Sequence, residues 1–119
     1  MRDYKKYEVW QISHQLTLYI YKELVPSFPK SQIYELSSQM RRAAYSIPMN
    51  IAEGCGRNTD KDFVHFLDTA LGSCHELEYI ILLAGELNYI KVAKKEMVNL
   101  KISEVKAKLI NLIKSIRKN

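Results

Sequence analysis

Residues 41–63 read RRAAYSIPMNIAEGCGRNTDKDF, and this stretch decides how the rest of the chain is folded. Ala43/Ala44, Ile47 and Ile51 recur at helical spacing. Gly54 and Gly56 then supply the residue type suited to a left-handed turn past a helix C-terminus. Thr59, followed three residues on by Asp62, has the look of a capping box, and Asp60 and Asp62 favour the positive end of a new helix. Helix, tight turn, helix is therefore the local reading. Pro48 falls inside the first of these helices, where it removes a hydrogen bond to the carbonyl of Ala44 and is expected to bend the chain. Ser46 as a fresh N-cap after a break is the alternative.

The same periodicity extends outward in both directions. Upstream, Val9, Ile12, Leu16, Tyr19 with Ile20, and Glu23/Leu24 predict a helix over about 7–25, stopped by the prolines of PSFP (26–29). The helix holding Pro48 is expected over about 32–54, with Ile33, Leu36 and Met40 on its early core face. Downstream, Phe63, Phe66, Leu67, Ala70, Leu71, Cys74, Leu77, Ile81 and Ala84 predict a third over 60–87, left through GELNYI (85–90). The fourth, about 93–117, carries Val98, Ile102, Val105, Leu109, Leu112 and Ile116 as a heptad seam, with Leu100, Ile110 and Ile113 off it. No stretch alternates with period two. Short connections favour antiparallel neighbours, so the expected fold is all-α: one domain over 1–119, an up-down four-helix bundle with a proline-kinked second helix. The off-seam residues and Trp10, Tyr19 and Tyr21 exceed what one bundle hides, which points to self-association.

Composition limits the possible functions. A chain of 119 residues with 47% hydrophobic residues, 4 Gly and 3 Pro is expected to fold as a single compact unit. It has no run long enough to cross a bilayer and no secretory h-region, so a cytoplasmic setting with no membrane partner is expected. Cys55 and Cys74 form neither a disulfide framework nor a metal-ligand spacing. His14, His65 and His75 are scattered, and neither Glu-x-x-His nor His-Glu-x-x-His occurs. No catalytic, cofactor-binding or metal-ligating residue is assigned, and the chain reads as non-enzymatic.

Charge is distributed unevenly. Residues 1–58 hold 8 Lys+Arg against 5 Asp+Glu, residues 59–90 one against 6, and residues 91–119 nine against 2. The basic last third either neutralises the acidic middle, within or between subunits, or faces a polyanion. Lys94, Lys101 and Lys108 recur every seven residues along one edge of the fourth helix, as phosphate contacts would. Arg41, Arg42 and Arg57 complete the candidate nucleic-acid set. GCGRNT (54–59) has the ingredients of an anion cradle, but it lacks the strand and lysine of a nucleotide loop. Its other reading is a plain turn in which Arg57 pairs with Glu53. Trp10, Pro48, Asn50, Glu53, Gly54, Gly56 and Gly72 are the candidates for an oligomer or structural network. Arg41 or Arg42, from this or a neighbouring chain, is the expected partner of Asn50 and Glu53 if these are buried.

VWQISHQLTLYIY (9–21), FP (28–29), QMRRAAYSIPMNIAEGCGR (39–57) and FLDTALGSCHELE (66–78) together resemble a bacterial four-helix-bundle family. That family was first met as reading frames inside intervening sequences of 23S ribosomal RNA genes. The likeness runs in order over about 9–90. Leu71 stands where the family often has arginine, and Glu35 where it often has glycine. The resemblance implies a ring-like homo-oligomer, a homopentamer, and no cofactor. It is similar in fold to the basic pentameric accessory proteins of diversity-generating retroelements. With the basic tail, it implies weak, sequence-independent binding of RNA or DNA; the alternative is a scaffold or accessory subunit that contacts only protein.

Overall fold

Four long helices account for most of the chain, and no strand occurs among the described residues. The computed structural model describes residues 2–118. The helices are α1 (Glu8–Tyr19), α2 (Leu36–Cys55), α3 (Asp60–Glu86) and α4 (Val92–Arg117), with short 3-10 turns before α1 and between α1 and α2. Each runs antiparallel to the next: Thr17 meets Ala44, Ser46 meets Ser73, and Glu78 meets Lys106. Glu8 to Lys108 and Glu23 to Lys94 close α1 back onto α4. Neighbours in sequence are therefore neighbours in space, and α2 and α4 lie across the diagonal. The result is a rod 46 × 23 × 20 Å.

The core is filled by the expected periodic residues: Leu16 from α1 and Ile20 from the turn that extends it, Met40, Ile47 and Ile51 from α2, Phe63, Leu67, Leu77 and Ile81 from α3, and Ile102 and Leu109 from α4. All are essentially inaccessible. Burying a side chain of this size contributes about 1.5–3 kcal/mol.

The boundaries differ from the sequence reading in instructive places. The first helix reaches Leu24 as expected, but its last turn is wound as a π-helix over Ile20–Leu24. Ile20 and Leu24, at its two ends, are both fully buried. The second helix begins at Leu36, not near 32, because Lys30–Gln32 forms a separate 3-10 turn and leaves Ile33 and Tyr34 exposed. In α4, Ile113 takes the buried place expected of Leu112, which is half-buried with Ile116. A straight helix turns every 3.6 residues, so a strict heptad drifts off the seam by its last turns.

Helix α2 continues without interruption through Pro48, and Ser46 is helical, not a new cap. The carbonyl that Pro48 leaves without an amide partner is that of Ala44. Thr17 Oγ1 of α1 lies 3.1 Å from it and donates there, while also lying 2.9 Å from the Ser13 carbonyl one turn back. A hydroxyl from the neighbouring helix thus satisfies the acceptor that the proline orphans.

Gly54 and Gly56 are not left-handed. No glycine in the described residues has positive φ, and Gly56 has φ −82°. Gly54 sits inside α2 for want of room: a Cβ there would meet Phe66 Cβ at 2.9 Å and Phe63 Cδ1 at 3.0 Å. Among the described residues the one with positive φ is Asn88, φ 62°, in the α3–α4 turn. There the Tyr89 amide bonds the Ala84 carbonyl and the Asn88 amide bonds the Gly85 carbonyl, closing the end of α3. The expected Thr59 cap is present, its hydroxyl accepting from the Asp62 amide at 3.1 Å.

Candidate nucleic-acid interface

The lysine row of α4 lies along the α1 side of the helix, and each member is engaged there. Lys94 Nζ is 3.1 Å from the Glu23 carbonyl and 3.6 Å from its carboxylate. Lys101 Nζ stands 5.6 Å from the ring centre of Tyr19. Lys108 Nζ is 3.0 Å from the Glu8 carboxylate. On the α3 side, Lys106 bonds both oxygens of Glu78, at 2.9 and 3.1 Å, and Arg117 reaches Asp68 at 3.1 Å. Within one chain, then, much of the basic last third is spent against carboxylates of α1 and α3. Lys91, Lys95, Lys114 and Lys118 have no carboxylate partner among the described residues.

The three candidate arginines are not gathered with that row. Arg41 donates to the Ile33 carbonyl at 3.0 Å and reaches Ser37 Oγ at 3.5 Å, so it holds the α1–α2 linker onto α2. Arg42 is exposed on α2, across the diagonal from α4. Arg57 lies in the α2–α3 turn with its guanidinium 4.6 Å from the Phe66 ring centre, and it makes no pair with Glu53. Stacking on an aromatic face leaves the edge of the guanidinium fork open to an acceptor.

Arg2, which sequence reasoning overlooked, completes that end of the bundle. It lies over Phe63 at 4.3 Å and donates to the Arg57 carbonyl at 2.9 Å and to Asp60 Oδ1. Arg2, Gly56, Arg57 and Asn58 line an open cleft of about 680 Å³. No local signal could have found Arg2, since its partners lie 55 and 58 residues along the chain.

The remaining candidates separate into intramolecular and exposed groups. Asn50 is half-buried, and its Nδ2 donates to the Ser46 carbonyl at 2.8 Å and to Ser46 Oγ at 3.0 Å. Ser46 Oγ shares a 2.8 Å hydrogen bond with Ser73 Oγ, which donates to Thr69 at 3.3 Å. Asn50 is thus bonded to Ser46 of its own helix, which in turn bridges to Ser73 of α3, and neither Arg41 nor Arg42 of the same chain reaches it. Glu53 is exposed and unpaired among the described residues. Trp10 is half-buried, stacked on His14 at 4.9 Å and edge-on to Tyr4 at 5.0 Å. Pro48 is buried, and Gly72 is exposed with open space where a Cβ would sit.

Neither cysteine is poised as a nucleophile. Burial pushes the Cys74 thiol up to about 12 and raises that of Cys55. Burial also raises the Tyr7 phenol beside it. Among the described residues no three His, Cys, Asp or Glu side chains converge as metal ligands, and no helix is long and apolar enough to cross a membrane.

Comparison with known proteins supports the fold. Residues 5–111 match the family model of the 23S rRNA-intervening sequence protein. A crystal structure described as a protein with unknown function from the S23 ribosomal protein family of Bacteroides thetaiotaomicron VPI-5482 superposes with a TM-score of 0.80. It is 30% identical over 89% of this chain and 98% of that one. No curated protein matches the sequence.

Proposed function

The chain belongs to the 23S rRNA-intervening sequence protein family, and from that premise we propose that it is a non-enzymatic, ring-forming bundle that holds RNA weakly and without reading its sequence. The observation that carries this reading is the surplus of cations left after internal pairing. Arg42, Arg57, Lys91 and Lys118 are exposed and without carboxylate partners among the described residues, in a chain of net charge +5. Such cations contact phosphates and release counterions, whatever the base sequence. No recognition helix or aromatic stacking platform accompanies them, so base readout is not part of the proposal. A cytoplasmic homopentamer with α2 bent at Pro48 belongs to the same reading.

The direct test is a salt titration of binding to structured RNA. Affinity should fall steeply with salt, and the combined Arg57→Glu, Lys91→Glu, Lys118→Glu variant should weaken it equally for unrelated sequences and flatten the salt slope. No measurable affinity at low salt, or affinity indifferent to salt, would sink the proposal.

A protein-only scaffold is the second reading. It is favoured by the apolar side chains that α2 turns outward, Tyr45 at 40% and Met49 at 53% exposure. A stable oligomer that fails to retain RNA at low salt would select it.

A further inference from the structure

The side of α4 that faces away from the bundle carries a second, orderly stripe. Glu96, Leu100, Ser103, Ala107, Ile110 and Lys114 step by 4, 3, 4, 3 and 4 residues, and every one of them is exposed. Leu100 is 72% exposed, the second-highest value among the large hydrophobic residues exposed along α4 and the other helices after Tyr34. None of the six serves the core, the α1 seam or the α3 seam. Their spacing keeps them on one narrow face of the helix, as a coiled-coil position would.

The stripe is also a palindrome in chemistry. Reversed about Val105, Leu100 exchanges with Ile110, Ser103 with Ala107, Asn99 with Asn111, and Glu96 with Lys114. Apolar maps onto apolar, small onto small, amide onto amide, and acid onto base. Two such helices laid antiparallel would therefore bring every position against its complement, with both end contacts attractive. A stripe facing only water has no reason to carry this symmetry, and a partner of different sequence would not call for it.

We propose that α4 pairs with the α4 of a second copy of this chain across a two-fold axis at Val105, through Leu100–Ile110, Ser103–Ala107 and Glu96–Lys114 contacts between copies. Ser103 and Ala107 at the centre let the axes approach to about 8 Å, the close end of helix packing. The contact extends over 96–114, about 27 Å of helix. A shallow depression of about 380 Å³, lined by Glu96, Asn99, Leu100 and Ser103, receives Ile110 of the second copy. Because the arrangement is isologous, it differs from the head-to-tail contact that builds a ring of five, and it joins two such units, or two single chains, face to face. It does not depend on nucleic acid.

Native mass and cross-linking test this directly. Leu100→Asp should halve the particle mass while leaving the circular dichroism spectrum and melting temperature close to the parent's, since the residue is 72% exposed and lies outside the core. Glu96→Lys or Lys114→Glu should each weaken the pairing, and the double exchange should restore it. Ser103→Cys combined with Ala107→Cys should oxidise to a covalent dimer, whereas Ser103→Cys alone should not. Buried Cys55 and Cys74 do not interfere. An unchanged mass for Leu100→Asp, or efficient cross-linking of Ser103→Cys alone (the mark of a parallel pair), overturns the proposal. RNA affinity per chain, measured on the same Leu100→Asp protein, separates failure of this contact from failure of RNA binding.

Discussion

Helices α2 and α4 occupy opposite corners of the bundle and are fixed there by different physics. Helix α2 is held by closeness. Ala43, Ala44 and Gly54 bring its backbone against its neighbours, and the carbonyl orphaned by Pro48 takes a hydroxyl from α1. Helix α4 is held by bulk and charge: Val98, Ile102, Val105, Leu109 and Ile113 fill the centre, and lysines reach from both flanks to carboxylates on α1 and α3. Close backbone packing tolerates almost no substitution, whereas long side chains with charged tips adapt. The diagonal should therefore separate mutations that cost much from mutations that cost little.

The largest effect expected is at Gly54. Gly54→Val forces side-chain atoms into Phe63 and Phe66 and should cost about 3 kcal/mol in chemical denaturation. A midpoint close to the parent's would mean that α2 is not limited by space. Next, Thr17→Val leaves the Ala44 carbonyl buried without a partner and should cost about 1–2 kcal/mol. In the Pro48→Ala background the new amide supplies that partner, so the same change should cost less; equal costs in both backgrounds would dissolve the link between Thr17 and the proline.

Alkaline pH gives an effect of intermediate size. The Cys74 thiol is held up to about 12 by burial, so its folded pKa lies above the ordinary 9.0. Its contribution is complete below pH 9.0 and is lost as pH rises toward the folded value, because only the unfolded chain ionises there. One unit above 9.0 the loss is about 1 kcal/mol, and Cys74→Ala should make the denaturation midpoint less sensitive to pH across that range. The same slope in parent and variant would refute the assignment. The smallest effect is on α4. Lys106→Ala removes a half-exposed pair with Glu78 and should cost less than about 1 kcal/mol, vanishing in high salt. A cost that persists in high salt would move α4 to the steric side of the comparison.

What could be read in the sequence follows the same division. Periodic apolar residues such as Leu67, Leu77 and Ile102 announce their burial, because helical spacing alone decides which face meets the core. Thr59 announces its cap, because the pattern is local. The misread positions are those whose reason lies on another helix. Gly54 resembles a helix ending until Phe63 and Phe66 are seen beside it. Arg57 resembles the partner of Glu53 until Phe66 is found beneath it. The lysine row is plain in the sequence as a row, but Glu8, Tyr19 and Glu23, which occupy it, lie about 70 to 100 residues away along the chain. The family motif is sharp, and Ala43, Ile47, Pro48 and Gly54 within it serve the packing of α2 in its own bundle, whereas Arg42 and Glu53 are exposed.

The Thr17 contact also bears on how the protein breathes. An α-helix ordinarily keeps its hydrogen bonds when a neighbour peels away, so helices in a bundle can loosen one at a time. Here the middle of α2 owes one bond to α1, and α1 cannot swing out without stranding the Ala44 carbonyl. Amide exchange should therefore show the middle of α1 and the Pro48 region of α2 opening together, at one common rate.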